Sequence, residues 1–130
     1  MSVISHVTLG TNDHTAAGRF YDAVLATLGF ERLPKPPGKP AAYERNGAMP
    51  TIYLYTPEDG RPANVGNGTQ VAFTAPGHAA VRAFHAAALA NGGTDAGEPG
   101  PRPHYGDDYY AAYVRDPDGN KLQAVCYAKA

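Results

Sequence analysis

The chain has 130 residues, with 11 Lys and Arg against 12 Asp and Glu, and its formal net charge is -1. This length suits one domain with a proper core, and the near-neutral charge argues against proteins that bind nucleic acids or anionic membranes. No apolar run approaches the ~20 residues of a membrane span, and no basic segment precedes a long apolar stretch at the N-terminus, so we expect a cytoplasmic protein. The lone cysteine, Cys126, excludes an internal disulfide.

The first half of the chain reads as a strand, a helix and two further strands. Asn12 and Asp13 are good N-caps for a helix whose apolar residues recur at helical spacing until Gly29 ends it. Asn46-Gly47 predicts a tight turn between the two later strands. The predicted elements are a strand over 3–9, the helix, strands over 43–46 and 51–55, and a polar, glycine-rich linker over 58–68.

The second half repeats this order. Gly92-Gly93 ends its helix, a proline-rich loop over 98–104 follows, and Asp116-Pro117-Asp118-Gly119 predicts a tight turn between the last two strands. The remaining predicted elements are a strand over 70–74, a helix over about 77–91, and strands over 109–115 and 121–127.

The two halves match when the sequence is shifted by 64 residues. His6 then lies on Gln70, and the glycine that ends the first helix lies on the glycine that ends the second. Alanine-rich helices match each other easily, so the agreement of the glycine and proline breaks is what favours a true repeat. A duplicated unit usually packs as a pair around a shared cleft, with equivalent positions facing the same space.

Strand alternation selects the side chains that face this cleft. In each strand the residues that pack under the helix alternate with residues that face the other way. Applied to the four strands, this rule predicts one concave, helix-free surface that presents His6, Tyr53, Gln70 and Gln123. Gln70 and Gln123 either orient a carbonyl or amide of a bound molecule or hydrogen-bond to each other.

The chain resembles the vicinal oxygen chelate superfamily, the glyoxalase/bleomycin resistance protein/dioxygenase family. The resemblance implies an α+β fold in one domain over residues 1–130, with two βαβββ modules (about 1–60 and 68–130) whose mixed sheets curl into a cup. It also implies a homodimer. Three segments carry the resemblance: Ser5-His6-Val7-Thr8-Leu9 with Phe20-Tyr21, then Gly68-Thr69-Gln70-Val71-Ala72-Phe73, and the stretch from Tyr113 through the Asp-Pro-Asp-Gly turn to Gln123.

In metal-dependent members of this family the ligand positions correspond to His6, Tyr53, Gln70 and Gln123. Only His6 keeps a strong ligand, and His6, Gln70 and Gln123 together supply no negative charge for a divalent cation. We therefore expect a protein that binds a small molecule without a tightly held metal. The alternative is a metal-dependent enzyme, similar to lactoylglutathione lyases or dioxygenases, with Zn, Mn, Ni or Fe held weakly by His6, Gln70 and Gln123.

Tyrosines supply the other predicted ligand contacts. Tyr113 falls where fosfomycin-type relatives place a ligand-contacting tyrosine. Tyr105 and Tyr110 sit on or beside the second proline-rich loop, which either covers the cup or packs at a dimer interface. The predicted ligand-binding residues are thus His6, Tyr53, Gln70, Tyr105, Tyr110, Tyr113 and Gln123.

Overall fold

The computed structural model describes residues 2–129, and two βαβββ modules build it. The outermost residues of the predicted module bounds, 1 and 130, lie outside this described range. The first module consists of β1 (His6–Gly10), α1 (His14–Ala26), β2 (Phe30–Arg32), β3 (Ala42–Arg45) and β4 (Ala48–Tyr55). The second module consists of β5 (Gln70–Thr74), α2 (His78–Ala90), β6 (Thr94–Pro101), β7 (Tyr110–Arg115) and β8 (Lys121–Cys126).

Each module forms its own four-stranded mixed sheet. The strand orders are β1-β4-β3-β2 and β5-β8-β7-β6, with the first strand of each module parallel to the last. The two sheets do not join into a closed barrel, and β1 and β5 are edge strands. The α+β class and the βαβββ plan are therefore confirmed.

The repeat is present in the backbone. β5 and α2 begin and end 64 residues after β1 and α1. Further along, Thr8 pairs with Tyr53 as Ala72 pairs with Gln123, so Tyr53 and Gln123 occupy equivalent positions. The register thus relates the later strands by 70 residues rather than 64, because the connections before them differ in length.

Local sequence signals account for the helix and hairpin ends. The Asp13 side chain accepts a hydrogen bond from the backbone N–H of Ala16 at 3.0 Å and caps α1. Gly29, with a φ of 86°, ends the turn that follows this helix. Asn46 and Gly47 adopt φ values of 56° and 64°, the left-handed pair that a two-residue hairpin turn requires.

The first part of one predicted loop is a strand. Residues 98–104 were expected to form a proline-rich loop, but β6 continues to Pro101. β6 lies at the edge of its sheet, where a proline without an N–H costs no ladder hydrogen bond on the open side. Register shifts between Asp95 and Gly97 and between Gly97 and Gly100 accommodate the irregular backbone.

The helices pack against each other, and a single hydrophobic core spans both modules. A Cβ at Gly93 would lie 2.6 Å from the ring of Phe20, so only glycine permits this close approach of the modules. The Tyr21 hydroxyl donates to the buried carboxylate of Asp116 across the same boundary at 2.5 Å. Neither helix of the described residues is long and apolar enough to cross a membrane.

Candidate functional site

His6 and Tyr53 form a pair on the helix-free face of the first sheet. β1 exposes His6 because its neighbours Val7 and Leu9 turn toward the core. The imidazole meets the Tyr53 ring edge-on, with 5.5 Å between ring centroids. The Ser5 hydroxyl lies 3.0 Å from the His6 Nδ1 atom, so this bond does not use the opposite ring nitrogen.

Gln70 and Gln123 form the corresponding pair on the second sheet. The Gln70 Nε2 atom donates to Gln123 Oε1 at 3.0 Å, and Gln123 Nε2 donates to the Tyr109 hydroxyl at 2.6 Å. Gln123 is only 2% exposed, whereas Gln70 faces solvent. A chain of three hydrogen-bonding side chains therefore runs from an open surface into a buried position.

Residues 102–109 cover the buried end of this chain. The segment is closed at its base by a hydrogen bond from the Arg102 backbone N–H to the Tyr109 carbonyl at 2.8 Å. Tyr109 lies over Gln123, with Tyr105 and Tyr127 at centroid distances of 5.2 and 5.4 Å. A cavity of about 260 Å³ remains beside the segment, lined by Gln70, Ala96, Arg102, His104, Tyr105, Tyr113 and Lys121.

Tyr113 lies on the same face of the sheet, opposite Gln123 in the strand register. Burial, together with the neighbouring Tyr109 and Tyr105 hydroxyls, raises the pKa of the Tyr113 phenol, while the Arg102 charge acts in the opposite direction. The phenol therefore stays protonated at neutral pH and is available as a hydrogen-bond donor.

Tyr110 lies on the other side of the sheet. Its ring stacks on His78 with 3.8 Å between centroids and a 9° angle between planes, and its hydroxyl lies 3.5 Å from Arg82. Both partners belong to α2. Tyr110 thus contacts the helix layer and stands apart from the other residues predicted to bind the ligand.

The structure brings the predicted residues together in two groups. His6 and Tyr53 share the first sheet, while Gln70, Tyr105, Tyr113 and Gln123 share the second. The cavities that Gln70 lines are bounded by residues 65–121 alone. Neither of these cavities includes His6 or Tyr53, so each belongs to the second sheet and its flanking segments.

The donor set at the second face does not fit a tightly bound divalent metal. Within residues 2–129, no three His, Cys, Asp or Glu side chains are grouped to share an ion. The Gln123 amide is engaged at both ends by Gln70 and Tyr109, and neither glutamine brings a negative charge. A metal would have to break these partly buried hydrogen bonds to gain neutral ligands.

Several residues of this site lie outside the set predicted to bind the ligand, among them Arg102, Lys121 and Tyr109. Arg102 and Lys121 line the cavity with Gln70, and Tyr109 closes it over Gln123. Strand register through the repeat would have found Lys121, which pairs directly with Gln70. The covering position of Tyr109 depends on the path of a loop, which carries no such periodicity.

The comparisons with known proteins agree with this fold. The sequence profile of the glyoxalase/bleomycin resistance protein/dioxygenase superfamily matches residues 3–124. A crystal structure of a glyoxalase/bleomycin resistance protein from Albidiferax ferrireducens is 41% identical, with a TM-score of 0.83 over 96% of this chain and 98% of that one.

Two more distant structures share the fold alone. A lactoylglutathione lyase from Agrobacterium tumefaciens is 23% identical, with a TM-score of 0.65 over 97% of this chain and 94% of that one. A family enzyme from Burkholderia phytofirmans is 20% identical, with a TM-score of 0.73 over 95% and 98%. No curated protein sequence matches the chain.

Proposed function

We propose that the chain, which belongs to the glyoxalase/bleomycin resistance protein/dioxygenase superfamily, binds a small molecule in the tyrosine-lined cup at Gln70 without a tightly held metal. The observation that carries this proposal is the hydrogen-bond chain from Gln70 through buried Gln123 to Tyr109. These amides occupy positions where the family's metalloenzymes place metal ligands, and here they satisfy each other. A cytoplasmic location stays a prediction from the sequence.

The chemistry of the face suits recognition rather than activation of a ligand. Gln70 is exposed, and its amide keeps one N–H and its oxygen beyond the bond to Gln123. Tyr105 and Tyr113 add aromatic surface with hydroxyl groups at its rim, the amphipathic lining common in small-molecule sites. A ligand with a flat body and a polar group would contact both kinds of side chain.

A thermal-shift screen of the chelator-treated protein tests this function. Small aromatic and thiol-conjugated ligands should raise the melting temperature, and Zn²⁺, Mn²⁺ or Ni²⁺ should not. Tyr113→Ala should abolish a ligand-induced shift, while Tyr110→Ala, on the helix side of the same strand, should retain it. A shift that needs metal, and is lost in His6→Ala, would instead support the metal-dependent enzyme.

The partner we propose is a second copy of the chain. β1 and β5 leave unpaired strand edges beside His6 and Gln70, and such edges are usually covered. A dimer that brings the first-module face of one copy to the second-module face of the other would complete the cup.

Light scattering after size-exclusion chromatography tests the dimer. The wild type should have twice the mass of the chain. Ala72→Glu, which places a charge on the exposed face of β5, should give monomers, and Ala79→Glu, on the exposed side of α2, should not. A monomeric wild type would contradict the dimer.

A further inference from the structure

Three cations surround Gln70 on the second sheet. Arg102 and Lys121 line the 260 Å³ cavity, and Lys121 and Arg115 line a neighbouring cavity of about 410 Å³ that also reaches Gln70. Lys121 pairs with both Gln70 and Arg115 in the strand register. We call this surface, formed by Gln70, Arg102, Tyr113, Arg115 and Lys121, the Gln70 basin.

No carboxylate of the described residues forms an ion pair with these cations. The ion pairs found between residues 2 and 129 are all elsewhere: Arg32–Asp22, Arg61–Asp59 and His85–Asp95. The Arg102 guanidinium donates to the backbone carbonyls of Glu98 and Gly100 at 2.7 and 2.9 Å, bonds that fix its position without neutralising its charge. In a chain of net charge -1, the basin is therefore a local excess of positive charge.

Tyr113 holds two of the charges close together. The Arg102 Cζ atom lies 5.6 Å from the centre of the Tyr113 ring, and the Lys121 Nζ atom lies 5.3 Å from it. Both distances fall within the range of a cation–π attraction. The ring thus keeps two like charges beside one cavity, although their mutual repulsion would favour separation.

The first module shows that its fold does not require this charge. Thr51 pairs with His6 as Lys121 pairs with Gln70, so Thr51 occupies the equivalent position. The Thr51 hydroxyl donates to the Glu44 carboxylate at 2.8 Å. The same backbone position is thus a threonine bound to a carboxylate in the first module and a lysine in the second.

From these observations we infer that the Gln70 basin selects small molecules that carry an oxyanion, a carboxylate or a phosphate. Arg102 and Lys121 face the anion, and the remaining Gln70 N–H donates to it. The inference rests on the proposed function and narrows its ligand class. Guanidinium and ammonium groups left without carboxylates, beside an exposed amide donor, are suited to anionic oxygen and repel a cationic ligand.

Titration followed by ¹H–¹⁵N NMR tests the inference, since the side-chain amide signals of Gln70 and Gln123 report binding in the basin. The probes are benzoate, phenyl phosphate and the neutral benzamide. Benzoate or phenyl phosphate should shift the Gln70 amide and bind more tightly than benzamide, with an affinity that falls as salt is added. Whichever anion binds more tightly distinguishes a carboxylate from a phosphate ligand.

Substitutions of lysines test whether the charge of Lys121 contributes to anion binding. Lys121→Gln should weaken binding of the preferred anion about tenfold, the loss expected when one of two cations facing an anion is removed at a partly exposed site. Lys121→Arg should retain the preference. Lys35→Gln, the same change in an exposed loop, should leave the affinity unchanged.

The outcomes separate the two proposals. If benzamide and both anions shift the Gln70 amide with equal affinity, the anion inference is overturned and small-molecule binding stands. If Lys121→Gln and Lys35→Gln weaken anion binding equally, the effect is one of net charge and the inference is overturned. If none of the three probes shifts the Gln70 or Gln123 amide, both proposals fail.

Discussion

The two modules share one backbone plan and differ in the chemistry of their helix-free faces. The first module presents an imidazole and a tyrosine, and a carboxylate binds the threonine opposite His6. The second presents two amides under a tyrosine cover with three cations at its rim. In both modules the strand side chains that face the helices form the core. The strand side chains on the helix-free face differ between the modules without changing the backbone plan.

Equivalent residues of the two helices also make different contacts. Tyr21 and His85 lie 64 residues apart, at equivalent positions of α1 and α2. Tyr21 bonds across the module boundary to Asp116, whereas His85 bonds to Asp95 within its own module at 2.8 Å. The repeat is therefore symmetric in its backbone and asymmetric in the contacts that hold it together.

The largest expected effect tests whether the two modules unfold as one unit. Phe20 and Phe84 are equivalent core residues with no exposed surface. Each substitution to alanine should lower the free energy of unfolding by about 3–5 kcal/mol, because it removes a buried ring from one shared core. Urea denaturation should show a single transition in both variants; two separated transitions would contradict a common core.

A smaller loss is expected at the contact between the modules. Tyr21→Phe removes the donor to buried Asp116 and should cost about 1.5–3 kcal/mol, the range for a hydrogen bond to a charged group. The matched control, Tyr43→Phe, removes a donor to the exposed carboxylate of Asp22 within the first module. An equal or larger loss in the control would contradict the importance of the boundary bond.

The pH dependence of Tyr21→Phe has a defined sign. Burial raises the pKa of Asp116, and the bond from Tyr21 acts against that rise. When the folded-state pKa of a carboxyl group lies above its unfolded-state pKa, the group stabilises the folded protein at pH values below the unfolded-state pKa. This stabilisation is lost as the pH rises through the folded-state pKa. Removing Tyr21's hydroxyl raises the folded-state pKa further, so the difference between wild type and variant should widen from acid to neutral pH.

Substitutions at the two helix N-caps should have opposite effects on stability, because only the N-cap of α1 has a side chain that accepts a hydrogen bond. Asp13→Ala removes the side-chain cap of α1 and should cost about 1 kcal/mol. The equivalent residue of α2, Gly77, has extended backbone, no side-chain cap and open space for a Cβ. Gly77→Asp should therefore stabilise the protein by a few tenths of a kcal/mol, about the advantage of aspartate over glycine at an N-cap. Destabilisation by Gly77→Asp would contradict this assignment.

The smallest expected effect concerns Asp95, an exposed carboxylate. The hydrogen bond from His85 lowers the pKa of Asp95. Its stabilisation is present above the unfolded-state pKa and is lost as pH falls through the folded-state value. Asp95→Asn should be slightly less stable than the wild type at neutral pH, with the gap closing in acid. Glu31→Gln, at the equivalent exposed position of β2, is the matched control.

The spacing of apolar side chains predicted the strands and helices that bury one face. It failed where tertiary contacts determine the burial or the secondary structure of a residue. The first strand and helix of each module follow from alternation and helical spacing. Leu89 lies at helical spacing from the buried residues of α2 and is nevertheless 47% exposed. The strand through Pro101 depends on the open edge of the sheet, which the sequence does not reveal.

The candidate site also combines features that strand alternation predicts with features that tertiary contacts determine. Strand alternation placed Gln70 and Gln123 together, and the structure shows one of the two alternatives considered, their mutual hydrogen bond. Tyr110 lies three residues before Tyr113 on one strand, so alternation requires the two rings to face opposite sides. The cover formed by Tyr109 and the separation of the two faces depend on loop path and module packing, which have no sequence period.

Under the proposed function, the second face is a ligand-binding cup in which amides stand where metal-dependent members of the superfamily have metal ligands. Calorimetric titration of Zn²⁺, Mn²⁺ and Ni²⁺ into Gln70→His/Gln123→Glu tests it most directly. The double variant should bind about one metal per chain tightly, whereas the wild type should bind weakly. Adding His6→Ala should abolish this binding if the proposed dimer brings the His6 of one copy to the second face of the other. A double variant that binds no metal, or a wild type that binds metal as tightly as the variant, would contradict this assignment of the two glutamines.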